Sequence, residues 1–225
     1  MTTLQIRRFA SPAALDKALI ERLQESIHTP AAERMAIMLS GGKTPLPAYR
    51  ELARRGRRAP RGLHLLYSDD RYVPPTSEAS NYFQSRALLE ALGLPQDAVL
   101  RVHTELPLEE AAADYERQLS GLLQSGVRIG LGLLGLGADG HTASLFTSEQ
   151  LEQARGRLAI AVHRPDAMAG ISVTPELLSQ VDQPLFLAAG PDKHAIVDAF
   201  LRSDSQLTAR RAIAGCPVAE IWIAP

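Results

Sequence analysis

Short aliphatic runs that alternate with segments of helical periodicity are the feature that most constrains the fold. The runs are MAIML (35–39), LHLLYS (63–68), VRIGLGLLG (127–135), LAIAVH (158–163), ISVT (171–174), PLFLAAG (184–190) and AEIWIA (219–224). Because they are continuous aliphatic runs rather than alternating ones, we expect both faces of the sheet to be covered. Strands that alternate with helices predict right-handed crossovers and a parallel sheet. The expected fold is therefore α/β, with an open, mainly parallel sheet and helices on both faces.

Helical segments lie between these runs. Ser11 followed by Pro12 is typical of a helix start, and apolar residues from Leu15 to Ile27 mark one face of that helix. Further helices are predicted over 46–55, 82–92, 107–124 and 191–202, and residues 69–81 are predicted to form a polar loop. No repeat, low-complexity tract or long linker divides the sequence, so residues 1–225 are expected to form a single domain.

The composition is that of a globular protein with no general affinity for polyanions. The chain has 225 residues, of which 45% are hydrophobic, and its formal net charge is −1. We therefore expect no nucleic-acid partner, and interpret the arginine run at 53–62 as a solvated helix end. No stretch approaches the ~20 apolar residues of a membrane span, and the single cysteine, Cys216, fits a reducing compartment. These features predict a cytoplasmic protein without a membrane partner.

Three polar segments follow strand-like runs, at 40–44, 69–71 and 135–141. In an open parallel sheet, ligands bind beyond the carboxyl ends of the strands. We therefore expect all three segments to meet in one crevice.

The first segment, SGGKT, resembles the end of a nucleotide-binding P-loop but lacks the rest of that motif. Ile37 stands where the first glycine of the motif belongs, and Pro45 follows Thr44 directly. Two interpretations remain for this segment. It is either a plain turn, or a turn whose N–H groups and Thr44 hydroxyl bind a phosphate or carboxylate at a helix start.

The third segment matches the glycine spacing of a dinucleotide-binding loop, through Gly135, Gly137 and Gly140. However, Asp139 would face the pyrophosphate, and the next strand ends in a histidine and an arginine rather than in an acid that binds a ribose. No nicotinamide or flavin cofactor is therefore expected. No metal is expected either, because no nearby cluster completes a ligand set around Asp139 and His141.

Acid–base chemistry is the interpretation that remains for Asp139 and His141. An imidazole titrates near neutrality, and a neighbouring carboxylate fixes its tautomer and makes it more basic. Two cations suit an anionic substrate: Arg71 follows paired acids at a strand end, and Lys193 is predicted in the first turn of a helix. For Lys193 the alternative is simple neutralisation by Asp192.

At this point the sequence resembles the 6-phosphogluconolactonases, with glucosamine-6-phosphate deaminases as more distant relatives. The matching segments are SGGKTP (40–45), DDRYVPPTSEASNY (69–82), EEAAADYERQL (109–119), GLGADGHTASLF (135–146) and GPDKHAI (190–196). They cover nearly the whole chain, and the segment around His141 is highly specific. After His141 the deaminases have an isoleucine, whereas Thr142 in this chain favours the lactonases.

The resemblance implies a Rossmann-like sheet and hydrolysis of 6-phospho-D-glucono-1,5-lactone in the oxidative pentose phosphate pathway, without metal or organic cofactor. It implies that His141 is the catalytic base. The other site residues expected from the resemblance and from the loops are Asp69, Asp139, Ser40, Gly41, Gly42, Thr44, Arg71, Asn81 and Lys193. Outside its substrate, a sugar phosphate lactone, no partner is implied, and a monomer or weak homo-oligomer is expected.

One departure from the family pattern concerns phosphate binding. The family commonly has an arginine where this chain has Gly170, so Arg71 and Lys193, helped by Arg164, are expected to bind the phosphate instead.

Two alternative functions remain open. One is a deaminase or isomerase acting on an amino sugar phosphate, and the other is a sugar-phosphate-binding protein without catalysis.

Overall fold

The computed structural model describes residues 2–29 and 34–225 and contains two sheets. The strands are β1 (Thr3–Arg8), β2 (Met35–Leu39), β3 (His64–Tyr67), β4 (Asp69–Arg71), β5 (Arg128–Gly135), β6 (Ala159–His163), β7 (Ala169–Val173), β8 (Pro184–Ala189) and β9 (Val218–Ala224). The helices are α1 (Pro12–His28), α2 (Leu46–Arg55), α3 (Asn81–Leu92), α4 (Leu108–Gln124), α5 (Ser148–Gln153), α6 (Pro175–Leu178), α7 (His194–Leu201) and α8 (Thr208–Ala212).

The larger sheet has the order β1-β9-β8-β5-β2-β3, and all of its pairs are parallel. Alternate residues of its strands enter two different cores. Ile37 and Leu39 pack against α1, α2 and α3, whereas Ala36 and Met38 pack on the other side, where α4 and α7 lie. Burial on both faces explains why the inner strands β2, β5 and β8 are almost wholly apolar, whereas the edge strand β1 is largely exposed. The predicted α/β fold with a mainly parallel sheet between helices is confirmed.

The first helix begins where the sequence predicted. The Ser11 side chain accepts a hydrogen bond from the N–H of Ala14, and Pro12 occupies the first turn, where its missing N–H costs nothing. Leu15, Leu19 and Leu23 on its predicted apolar face are fully buried. No helix in the described ranges combines the length and apolar character of a membrane span.

The smaller sheet, in the order β4-β7-β6, is antiparallel and corrects two predictions. The runs at 158–163 and 171–174 were expected in the parallel sheet, but a connection of only five residues, 164–168, joins β6 to β7. Such a short connection permits an antiparallel hairpin and excludes a parallel crossover. Residues 69–71, expected in a loop, form β4 because they pair with β7, from Asp69 opposite Ser172 to Arg71 opposite Gly170.

Candidate active site

A cavity of about 470 Å³ lies beyond the carboxyl ends of β2, β5 and β8 and beside β4. It brings together nine of the ten residues expected in the site, namely Ser40, Gly41, Gly42, Thr44, Asp69, Arg71, Asn81, His141 and Lys193. The tenth, Asp139, does not line the cavity but is bonded to His141. The three polar segments therefore meet in one crevice, because the strands before them end at the same edge of the sheet.

The turn after β5 presents His141 to this cavity. Its backbone is closed by hydrogen bonds from the N–H of Gly137 to the carbonyl of His141 (2.9 Å) and from the N–H of Gly140 to the carbonyl of Gly137 (3.0 Å). Gly140 has a φ of 85°, a left-handed conformation that favours glycine. The Thr142 hydroxyl ties the end of the turn to the Gly135 carbonyl at 2.9 Å. The turn is thus held rigidly on the end of a buried strand.

Asp139 and His141 form a hydrogen-bonded pair within this turn. Oδ1 of Asp139 accepts from the backbone N–H of His141 (3.2 Å) and is bonded to its Nδ1. A carboxylate at Nδ1 places the proton on that nitrogen and leaves Nε2 as the basic one. Partial burial by itself raises the pKa of Asp139, but the hydrogen bond and charge of His141 outweigh it and hold that pKa below its ordinary value. The pair is therefore built to keep the carboxylate ionised beside the imidazole.

Gly137 is required where it stands for a steric reason. A Cβ at this position would overlap the His141 imidazole and the Asp139 carboxylate. The close approach of backbone and side chain explains why the segment is rich in glycine without being a dinucleotide-binding loop.

Asp69, which also lines the cavity, forms the centre of a buried polar cluster. Its Oδ2 accepts from the Ser144 hydroxyl (2.7 Å) and its Oδ1 from the Ser68 hydroxyl (3.0 Å), and Nη1 of Arg164 lies 3.8 Å from Oδ2. Asp69 and Ser144 are 6% and 0% exposed. Because a buried carboxylate needs such donors, this cluster fixes the carboxylate in place.

Asn81 joins Asp69 to Arg71. Its Nδ2 donates to the Asp69 carbonyl at 2.8 Å, and its Oδ1 accepts from Nη1 of Arg71. The amide also lies against the backbone of Gly41, where a Cβ would overlap it. Gly41 therefore allows Asn81 to reach across to the end of β2.

Asp70, which was not expected in the site, anchors its neighbours. Its carboxylate accepts from the N–H groups of Arg71 (2.8 Å), Asn81 (2.7 Å) and Tyr82 (3.2 Å), and from the Ser80 hydroxyl (3.0 Å). It thus sits at the amino end of α3, where the helix dipole favours a negative charge. Burial nevertheless raises its pKa to about 6, although the backbone hydrogen bonds oppose that rise.

A pH-dependent stability difference between wild type and Asp70→Asn follows. A raised carboxyl pKa contributes stability that is present at low pH and is lost as the pH rises through about 6. We expect the free energy of unfolding of the wild type, minus that of the variant, to increase by about 2 kcal/mol from pH 7.5 to pH 4. Urea denaturation at both pH values measures it. A pH-independent difference would show that Asp70 titrates as in the unfolded chain.

Lys193 reaches the cavity from a different element than expected. Residues Pro191–Lys193 form a 3₁₀ turn that precedes α7, so Lys193 is not in the first turn of the α-helix. Its Nζ donates to the carbonyl of Leu136 at 2.9 Å, next to the turn of His141. Lys193 therefore adds a positive charge close to the Asp139–His141 pair.

Arg164 has a larger part in the cavity than the sequence suggested. Its side chain is 10% exposed and donates from Nη1 to the Ser144 hydroxyl at 2.7 Å. Its Cδ would lie 3.3 Å from a Cβ on Gly170, so the glycine leaves room for the arginine to cross β7. The sequence pointed to Arg164 through Gly170, where the family commonly has an arginine. Its contact with Ser144 spans 20 residues and has no local signal.

The lining of the cavity favours an anionic ligand. It contains four cationic side chains, Lys43, Arg71, Arg164 and Lys193, against the carboxylates of Asp69 and Asp192. A phosphorylated substrate would therefore find complementary charge there.

No group of three or more histidine, cysteine or acidic residues with the geometry of a metal site occurs within residues 2–29 and 34–225.

Known proteins resemble this chain over most of its length. Residues 10–222 match the family model described as glucosamine-6-phosphate isomerases/6-phosphogluconolactonase. The 6-phosphogluconolactonase of Treponema pallidum is 36% identical over 168 residues, which are 72% of this chain and 70% of that protein. The human 6-phosphogluconolactonase is 32% identical over 186 residues, with 78% and 72% covered.

Solved structures show the same fold. The 6-phosphogluconolactonase of Thermotoga maritima superposes with a TM-score of 0.80 at 26% identity and covers 99% of both chains. That of Trypanosoma cruzi superposes with a TM-score of 0.83 at 26% identity, covering 99% of this chain and 96% of its own. With the family match over residues 10–222, these likenesses show that the chain belongs to the glucosamine-6-phosphate isomerase/6-phosphogluconolactonase family.

Proposed function

We propose that this protein hydrolyses 6-phospho-D-glucono-1,5-lactone to 6-phospho-D-gluconate, a step of the oxidative pentose phosphate pathway. The observation that carries the proposal is the Asp139–His141 pair at a cavity lined by four cations. The relatives named above are 6-phosphogluconolactonases, which supports the same reaction. An acid–base group beside an anion-binding surface is what hydrolysis of a phosphorylated lactone needs.

In the proposed mechanism, His141 is the general base. Its Nε2 takes a proton from a water molecule as the water oxygen attacks the lactone carbonyl carbon. The tetrahedral intermediate collapses by breaking the bond between that carbon and the ring oxygen, and the imidazolium returns the proton to the ring oxygen. Asp139 keeps Nδ1 protonated throughout and stabilises the transient positive charge.

The turn after β2 is the proposed oxyanion site. The N–H of Ser40 already donates a hydrogen bond to the Tyr49 hydroxyl oxygen at 3.2 Å. The N–H groups of Gly41 and Gly42 have no acceptor within the described part of the chain, and both residues line the cavity. We infer that these two groups stabilise the developing negative charge, as preorganised backbone donors do in acyl transfer.

The phosphoryl group is proposed to bind the cations of the cavity, with Arg71 and Lys193 as the first candidates. Replacing Arg71 by alanine is expected to lower kcat/KM for the phosphorylated lactone about 10- to 100-fold, because a charged hydrogen bond is lost. Any turnover of unphosphorylated glucono-1,5-lactone should change little. Steady-state kinetics with both lactones measures this, with Arg202→Ala as the control, since Arg202 is exposed and pairs with Asp204. Equal losses on both lactones would contradict phosphate binding by Arg71.

We also propose that the reaction needs no metal. Within residues 2–29 and 34–225 no group of histidine, cysteine and acidic side chains completes a ligand set with His141, and the Asp139–His141 pair could bind one ion through both side chains only by breaking its own bond. Dialysis against EDTA is therefore expected to leave kcat unchanged. A loss of activity that Zn²⁺ or Mg²⁺ restores would contradict the metal-free mechanism.

The experiment that tests the function generates the lactone fresh and follows its loss above the spontaneous background. Addition of the protein is expected to accelerate ring opening and to yield 6-phosphogluconate. Glucosamine 6-phosphate is tested in parallel, and ammonia release from it would favour a deaminase instead. Binding of 6-phosphogluconate without turnover would indicate a sugar-phosphate-binding protein.

A further inference from the structure

Phe146 contacts two functional side chains without lining the cavity itself. Its ring centroid lies 4.2 Å from that of His141, with the planes tilted by 40°, and Cζ of Arg164 lies 5.2 Å from the same ring. Both of these neighbours line the cavity. One aromatic ring therefore supports the proposed base and one of the cavity's guanidinium groups.

The backbone of Phe146 is held firmly on both sides. Its N–H donates to Oε1 of Gln150 at 2.7 Å, and its carbonyl accepts from the Thr208 hydroxyl at 3.2 Å. Nε2 of Gln150 in turn donates to the carbonyl of His163, the residue before Arg164, at 3.0 Å. A single side-chain amide thus ties Phe146 to the segment that carries Arg164, and Gln150 is only 9% exposed.

The ring can act on His141 in two physical ways. With Nδ1 fixed by Asp139 and one face of the imidazole against Phe146, the imidazole cannot turn about its Cβ–Cγ bond without losing both contacts. The face of an aromatic ring also attracts a cation, so the contact favours the imidazolium that the proposed mechanism forms. Asp139 is bonded to His141 within its own turn. The other charged groups that line the cavity with His141 are Lys43, Asp69, Arg71, Arg164, Asp192 and Lys193.

We propose that Phe146 is a positioning residue that fixes the plane of the His141 imidazole and stabilises its protonated form. The proposal rests on the hydrolytic function proposed above. It makes Phe146 act through His141 and Arg164, and it assigns the ring no contact with substrate. Its effect should appear in kcat and in the pH dependence, rather than in KM alone.

The test compares Phe146→Leu with Phe146→Tyr. The leucine keeps an apolar side chain but removes the aromatic face, and we expect kcat to fall about tenfold. The acid limb of the pH–rate profile should shift to lower pH, because a less stabilised imidazolium forms at lower pH. Phe146→Tyr keeps the ring and should stay within about twofold of wild type.

NMR titration of the His141 ring protons gives a readout that is independent of turnover. The signals are assigned to His141 because they are absent from His141→Ala. We expect the pH midpoint of this titration to be lower in Phe146→Leu than in wild type and in Phe146→Tyr. Phe9→Leu is the matched control. A guanidinium also lies over the Phe9 ring, with Cζ of Arg7 4.7 Å from the ring centroid, but Phe9 contacts neither His141 nor Arg164. If the leucine variant does not fold by circular dichroism, Phe146→Met replaces it with the same expected results.

The outcomes separate this proposal from the proposed function. A wild-type protein that does not hydrolyse the lactone refutes the function, while the NMR titration still decides the effect of the ring on His141. An active wild type, with kcat, pH profile and titration midpoint unchanged in the folded leucine or methionine variant, refutes the role of Phe146. A loss of kcat shared by the tyrosine variant would refute it as well.

Discussion

Replacing His141 by alanine is expected to lower kcat for lactone hydrolysis by about 10²- to 10⁴-fold, the range typical of a general base. KM should change little, because the cations proposed to bind the phosphoryl group remain in place. The Asp139 carboxylate, whose pKa the His141 contact holds below its ordinary value, loses its partner in this variant. Steady-state kinetics on freshly generated lactone, corrected for spontaneous ring opening, measures the effect.

His103→Ala is the matched control for this replacement. His103 also pairs with an aspartate, Asp114, at 2.7 Å, but lines a different cleft. Its replacement is expected to leave kcat within about twofold of wild type. Equal losses in the two histidine variants would indicate a general destabilisation rather than the loss of a base.

A second large effect is expected from Gly137→Ala, although this change removes no functional group. The added methyl would overlap the His141 imidazole and the Asp139 carboxylate, so one or both must move. We expect kcat to fall about 10²-fold, since a displacement of about 1 Å in a catalytic group costs that much. Kinetics together with thermal unfolding measures the effect on catalysis and on stability separately.

Gly121→Ala provides the control for an added methyl. Gly121 lies in α4 with no atom within 4 Å of the position its Cβ would take, and alanine is the better helix former. This variant should keep full activity and be slightly more stable. Full activity in Gly137→Ala would mean that the turn adapts and that the geometry of the pair does not limit catalysis.

The sequence was most informative where local rules decide the structure. Strands buried on both faces are apolar throughout, so β2, β5 and β8 could be recognised, and with them the edge of the sheet where the polar segments meet. The start of α1 and the left-handed Gly93 at the end of α3 follow from capping rules. Nine of the ten expected site residues line the cavity, most of them because they follow strands that end at this edge of the sheet. Their catalytic roles stay predictions.

Features that depend on distant contacts could not be predicted. β4 consists of two aspartates and an arginine, a pattern typical of a loop, and it is a strand only because β7 lies beside it. The bond between Asp69 and Ser144 spans 75 residues, and no periodicity in the sequence indicates it. The role of Asp70 was missed for a related reason, since three of its four partners lie 10 to 12 residues further on, at the start of α3.

The central claim is that the neutral imidazole of His141 activates the water that opens the lactone. The most direct test is the rate of loss of fresh 6-phospho-D-glucono-1,5-lactone, above background, for wild type and His141→Ala between pH 5.5 and 7.5. We expect a wild-type rate that falls on the acid side as the imidazole is protonated, and a variant rate close to background at every pH. Equal rates for the two proteins across that range would contradict it.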